Sequence, residues 1–287
     1  MARLKELSSP EERWGASGPA GSSGAGRLRR TAQERIATDA IPALILLAWY
    51  LASFRAPEYV LPNPLSVILL TLQLLADPAL FHHTYISLGR VIAAVLIALL
   101  LGSSLVLLAR YAPLARGFIV RRLLPFLNAF PTLGWAILAV YWFGVSDPSA
   151  IFVEVAILLP FSMITMWEGM KALDEETLEM AWSFTRNRWI ILRKVIFPLL
   201  LPYIFAVLRI SYGVAWKVAL IAELFGSSVG LGYLLNYSRN QFNSPMLFGT
   251  ILVIIVLVYL MDRLGFEPLE RRMMKYRAEA QAGPPHV

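Results

Sequence analysis

Long apolar runs, broken at intervals by charges, dominate the chain from about residue 38 onward. Ala40–Phe54 is uncharged between Asp39 and Arg55, Val91–Leu108 is an uncharged run of 18, and Leu123–Ser146 carries no charge. A helix that crosses about 30 Å of hydrocarbon needs about 20 mostly apolar residues, at about 1.5 Å each. The pattern predicts six such spans, at about 38–54, 86–109, 123–144, 149–170, 196–224 and 244–262. The first is short. The third contains Pro125, Pro131 and Gly134, so it is predicted to kink or start late. The fourth is interrupted by Glu154 and Glu168, and the fifth holds Arg209, Lys217 and Glu223. A shorter apolar stretch at 65–76 lies in a loop punctuated by Pro62, Pro64 and Pro78, and reads as a helix too short to span.

Composition agrees with this reading. Hydrophobic residues make up 57% of the 287 and charged residues only 16%, against about 25% charged in soluble domains. Mean hydropathy is +0.61. A water-soluble enzyme and a disordered regulator are thereby excluded, and the expected fold class is an all-α membrane protein. The absence of cysteine removes disulfides, thiol catalysis, Fe–S clusters and Cys-ligated zinc.

The net charge of +7 and pI near 9.8 acquire a meaning once the cations are sorted by loop. With the N-terminus inside, the cytoplasmic segments 1–37, 110–122, 171–194 and the residues after the sixth span, from 263 on, hold 21 of the 26 Lys and Arg. The opposite side holds Arg55 and Arg239. This asymmetry predicts six spans with both termini cytoplasmic, rather than a nucleic-acid surface. Arg90, Arg209 and Lys217 lie in or near spans and are left over. Residues 1–37 read as a flexible basic tail, rich in Gly, Ser, Ala and Pro between Ser8 and Gly26. No apolar run follows the basic residues within the first 30 positions, as a signal peptide would need. The membrane region is expected over 38–265, with a cytoplasmic tail at 266–287.

The loop 171–194 is longer than a connection requires. Asp174, Glu175 and Glu176 suit a helix N-terminus, and Leu178, Ala181, Trp182 and Thr185 share one face at helical spacing. A second short helix is predicted from about Asn187 to Val195, with Arg188, Arg193 and Lys194 among Trp189, Ile190, Ile191 and Leu192. A helical hairpin with exposed tryptophan and basic residues reads as a docking surface.

This segment resembles the cytoplasmic signature of the membrane permease subunits of ABC importers, Glu-Ala-Ala, three residues, Gly, nine residues, Ile-x-Leu-Pro. Glu179, Met180 and Ala181 take the first three positions, Thr185 the glycine, and Val195, Phe197 and Pro198 the Ile, Leu and Pro. Thr185 is the departure, because the family glycine eases the bend between two short helices. LPNPLSVILLTLQLL (61–75), HTYISLGRVIAA (83–94), WFGVSDPSAIF (142–152) and SYGVAWKVALIAELFGSSVGLGYLL (211–235) resemble further blocks of the nitrate/sulfonate/taurine/bicarbonate group. The resemblance covers about residues 40–270. It implies a multi-pass protein of the bacterial inner membrane, working as a homodimer. Two copies of a separate ATPase would use ATP and Mg, and a periplasmic or lipid-anchored binding protein would deliver the solute. Glu179, Met180, Ala181, Trp182, Thr185, Arg188 and Pro198 become the expected ATPase-coupling residues. A small anion is the expected solute, with a thiamine-precursor pyrimidine or riboflavin as the alternative. No cofactor is expected on this chain. No G-x-x-x-x-G-K-[ST] occurs, and the nearest run, Gly21–Gly26 followed by Arg27 and Leu28, lacks the Lys and the hydroxyl residue.

Charged residues within spans are costly and mark candidate sites. Lys217 and Glu223, with Trp216, are expected along the translocation path; the bland alternatives are a Lys217–Glu154 ion pair and Glu223 reaching the outer interface. Lys217 and Glu223 are six apart and point to different faces. Arg209 reads as structural. Pro131 and Trp135 mark a place where the third span either breaks toward the path or merely kinks. Tyr141, Trp142 and Phe143 suit an interfacial belt or a gate. His82 and His83 have no third ligand at metal spacing, so no metal site is expected. A stand-alone secondary transporter is the competing class; no internal repeat supports it. A membrane enzyme would need a cluster of His or carboxylates, and none is visible in the sequence.

Overall fold

A computed structural model describes residues 40–173 and 175–271. The expected tail 1–37 and Asp174 lie outside the described residues, as do residues 272–287 of the expected tail 266–287, whose first residues continue the last helix to Arg271. The chain divides into two units, Met1–Arg55 and Ala56–Val287. In the first, helix α1 (Ala40–Ser53) occupies the expected first span, and is apolar but shorter than a full crossing.

The second unit is built of helices α2 (Pro64–Ala76) and α3 (Pro78–Tyr111), then α4 (Pro113–Ala129) and α5 (Thr132–Phe143). After these come α6 (Asp147–Lys171), α7 (Glu175–Phe184), α8 (Arg188–Gly226), α9 (Leu231–Asn240) and α10 (Ser244–Arg271). No strand occurs among the described residues. Single π-helical turns interrupt α4 at Ile119–Leu123, α8 at Leu192–Ile196 and α10 at Met261–Phe266.

The helix starts follow local chemistry. The Asn63 side chain accepts from Leu65 N–H and Asp77 from Ala79 N–H, both at 2.9 Å, and Pro64 and Pro78 open the helices behind them. A side-chain acceptor satisfies an orphan donor, and proline at the first position has none to lose. This is why α3 begins eight residues before the expected 86.

Among the described residues four helices, α3, α6, α8 and α10, are long and apolar enough to cross a membrane; α4 and α5 make a fifth if the bent pair is one span. That pair is the expected third span. It does not merely kink: the two helices meet at 90°. Phe130 and Pro131 are extended (ψ 127° and 139°), as a residue before proline prefers, and α5 restarts with Trp135 N–H donating to Pro131 C=O at 3.2 Å.

The core is a layered set of helix contacts in which α3 packs along α6 and α6 along α8. One buried cluster joins Val106, Ile119, Ala139, Met163, Met170 and Ile196; another joins Leu74, Val91, Ala98, Trp216 and Val253. Small residues set the α3–α6 distance. A Cβ on Gly102 would lie 2.8 Å from Ser162 Cβ, closer than such atoms approach, and make a tight 3.3 Å contact with Met163 N. Gly102→Leu is therefore expected to destabilise the solubilised protein by about 1–3 kcal/mol, read as a lower midpoint in a thermal melt. An unchanged midpoint would mean the helices do not pack this closely. Large apolar residues such as Leu100, Ile137 and Ile255 point outward, 67%, 59% and 57% exposed, as lipid-facing positions do.

Candidate functional site

The docking segment expected at 174–198 forms a helix, a three-residue turn and a second helix. Helix α7 buries Ala181 against the core and half-buries Leu178. Glu179 and Met180 are exposed, Trp182 is 43% exposed and Phe184 83%. Trp182 follows Leu178 by one helical turn on the same side of α7 and stays exposed, at the edge of the face that Ala181 buries. The side chain of Glu175 and the position of Asp174 lie outside the described residues.

Thr185 is accommodated at the glycine position. Its N–H donates to Ala181 C=O at 3.2 Å, and its hydroxyl oxygen accepts from Asn187 N–H at 3.2 Å. Among the described residues only Gly144, Gly230 and Phe242 have positive φ, so the turn needs no left-handed residue at 185. Asn187 then caps α8, accepting from Trp189 N–H at 3.0 Å. The short second helix is not separate: through the Leu192–Ile196 π turn it runs on into the span. Arg188, Trp189, Ile190, Arg193, Lys194 and Pro198 are exposed on it, while Ile191 and Ile196 anchor it.

At the other end of α8, buried charges lock three helices together. Arg90 on α3 and Glu223 on α8 are almost fully buried and pair at 2.8 Å (Nη1–Oε1). The same guanidinium binds Asp147 at the start of α6, with Nε–Oδ1 at 3.1 Å, and Val229 C=O at 2.8 Å. Glu223 also accepts from the Ser87 hydroxyl at 2.7 Å and from Gly232 N–H at 2.8 Å. The loop 227–230 is held by Gly230 N–H donating to His83 Nδ1 at 3.0 Å, and Leu231 N–H donates to Ser87 Oγ at 2.8 Å. His83 stacks on Tyr233 with ring centres 5.9 Å apart. A buried ion pair persists when further hydrogen bonds satisfy both partners, as here.

Glu223 thus lies buried inside the single chain and not on an open wall. Lys217 does lie on an open wall. It is exposed and lines a groove of about 470 Å³ between α8 and α10, with Trp216, Tyr212, Ile255, Tyr259 and Asp262. It forms no ion pair with Glu154 or any other described residue. Trp216 is only 2% exposed and mainly supports the groove from behind. Glu154 is fully buried on α6, and neither carboxyl oxygen has a hydrogen-bond partner among the described residues. Arg209 at the foot of the groove bonds Asp262 (Nε–Oδ1 2.9 Å) and Glu270, the structural role its sequence suggested. Pro131 sits at the α4–α5 break, and Trp135 behind it is buried among Phe126, Phe130 and Phe152. Tyr141, Trp142 and Phe143 are exposed, at 84%, 54% and 47%.

No sequence pattern announces the Arg90–Glu223 pairing. Its only signals there are a cation left unexplained by topology and the spacing of Ser87 and Arg90 on one helical face.

Residues 94–274 match the family described as the inner membrane component of binding-protein-dependent transport systems. The chain is 29% identical to the taurine transport system permease protein of Escherichia coli, over 87% of this chain and 92% of that one. It is 29% identical to a Bacillus subtilis protein assigned to aliphatic sulfonate transport as a permease, over 83% and 86%. It is 31% identical to the riboflavin transport system permease protein of Chloroflexus aurantiacus, over 53% and 56%. With its several apolar helices, the chain belongs to this family of multi-pass inner membrane components of binding-protein-dependent transport systems.

Proposed function

We propose that the chain spans the membrane six times with both termini cytoplasmic. Two copies form the translocation path of an ATP-driven importer for a small anion of the sulfonate, taurine, nitrate or bicarbonate type. Hydrolysis of MgATP belongs to two partner ATPase subunits, and a binding protein delivers the solute. The observation that carries the coupling role is the surface of Glu179–Pro198. Met180, Trp182, Phe184 and Trp189 stand exposed there among Arg186, Arg188, Arg193 and Lys194. Such a mixture on a short helical hairpin suits a groove on a protein partner, with aromatic anchors and a basic rim. The Lys217 groove supports the anionic cargo, because its wall is mostly apolar, its Asp262 is bonded to Arg209, and Lys217 is left as a cation without an acidic partner to attract an anion.

Copurification with an ATPase and solute uptake in vesicles test the coupling role. Trp182→Glu is expected to abolish both, and Glu179→Ala to reduce uptake. Wild-type uptake and ATPase assembly in both variants would refute it, and uptake driven by a proton gradient without an ATPase would favour a secondary transporter. The identity to a riboflavin permease protein supports a second cargo reading, riboflavin or a thiamine-precursor pyrimidine. The ligand retained by the partnering binding protein distinguishes the two.

A further inference from the structure

A small cavity of about 120 Å³ opens where α3, α4 and α6 meet, lined by Arg110, Arg116, Trp167, Met170 and Lys171. Three cations from three helices converge on it. Arg110 has no hydrogen bond or ion pair among the described residues, while Lys171 pairs only with Glu168, at 2.7 Å. The Arg116 guanidinium lies 5.3 Å from the centre of the Trp167 ring, which fixes one donor fork beside the cavity. Topology alone explains why cations follow an apolar span, and helix C-termini favour them. Neither effect explains why they surround one hollow, where their mutual repulsion is offset by a single carboxylate.

We infer that this cavity binds a phosphate-bearing anion, with the headgroup of an anionic phospholipid as its source. Arginine forks match phosphate oxygens, and basic pockets between membrane helices take such headgroups. The cavity lies where the apolar runs of α3 and α6 end, the level at which a headgroup would meet a spanning helix. Arg110 directly follows the uncharged run of α3, and Lys171 ends α6. This assignment uses only the membrane family of the chain, and it stands whatever the solute or the ATPase contact proves to be.

Native mass spectrometry of the full chain, released from membranes of equal phosphatidylglycerol and phosphatidylcholine, tests it. The wild type is expected to retain phosphatidylglycerol selectively. Arg110→Gln should weaken retention about fivefold, and Arg110→Gln with Arg116→Gln about fivefold again. Arg121→Gln with Arg122→Gln removes the same charge away from the cavity and should leave retention unchanged. Arg110→Gln keeps the fold, since its side chain has no described partner. Equal retention by wild type and Arg110→Gln, or equal loss in the Arg121/Arg122 control, overturns the site. Retained inorganic phosphate, added at millimolar level, with no selective lipid would keep the anion site and overturn the lipid as its source.

Discussion

Arg90→Ala is expected to cost about 3–5 kcal/mol of stability, because it strands a buried carboxylate without its cation. Glu223 would keep its bonds from Ser87 and Gly232, which soften but do not replace the lost charge. Glu223→Gln should be milder. An amide oxygen can still accept from those two donors, and Arg90 keeps Asp147, which is 68% exposed and solvated. Arg90→Met combined with Glu223→Met removes both charges at similar volume and should recover most of the loss. Thermal melts of the solubilised protein, followed by tryptophan fluorescence, give the ranking. A melting midpoint for Arg90→Ala equal to that of the wild type would show that the pair does not hold the helices together.

Gly230→Ala is the second large effect. Gly230 has φ 124° and ψ 174°, a region open in practice only to glycine, which costs other residues about 1–3 kcal/mol. An added Cβ would also fall on the Glu223 carboxylate. The substitution should therefore strain the loop and push Glu223 off Arg90 together. Gly144→Ala is the comparator: its φ is 70°, but its Cβ would meet nothing within 4 Å. Strain alone predicts similar losses at the two positions; the Glu223 collision predicts a larger one at 230. That excess should shrink in a Glu223→Ala background, and an excess that persists there would assign it to something other than the carboxylate.

Local features are legible in the sequence and distant pairings are not. The helical hairpin over 175–198 depends on residues close to one another along the chain, so its helices and the turn between them are legible from local spacing. The α4–α5 break follows from Pro131, although whether it breaks or kinks depends on packing around Phe130 and Trp135. Helix ends run past the apolar runs. Asp77 and Pro78 start α3 early, and a π turn carries α8 through Arg193 and Lys194, where charge suggests a boundary. Helix α9 escapes prediction because LGYLLNYSRN is too polar to read as a span, and its place depends on packing against α8 and α10. Arg90 and Glu223 are 133 positions apart, and no periodicity joins them. The charge sorting shows only that Arg90 needs a partner.

Helix α8 connects the exposed hairpin to the buried ion pair. It carries Arg188 at one end and Glu223 near the other, within one helix of 39 residues, so the two are about 50 Å apart along its axis. Where a helix moves as one body, with the Leu192–Ile196 π turn and Pro202 as its places to bend, such a length acts as a lever. A tilt of about 5° pivoting at one end displaces the other by roughly 4 Å over that length, more than the reach of the Arg90–Glu223 hydrogen bond. Force applied to the hairpin would thus arrive at the pair as a displacement comparable to the bond itself.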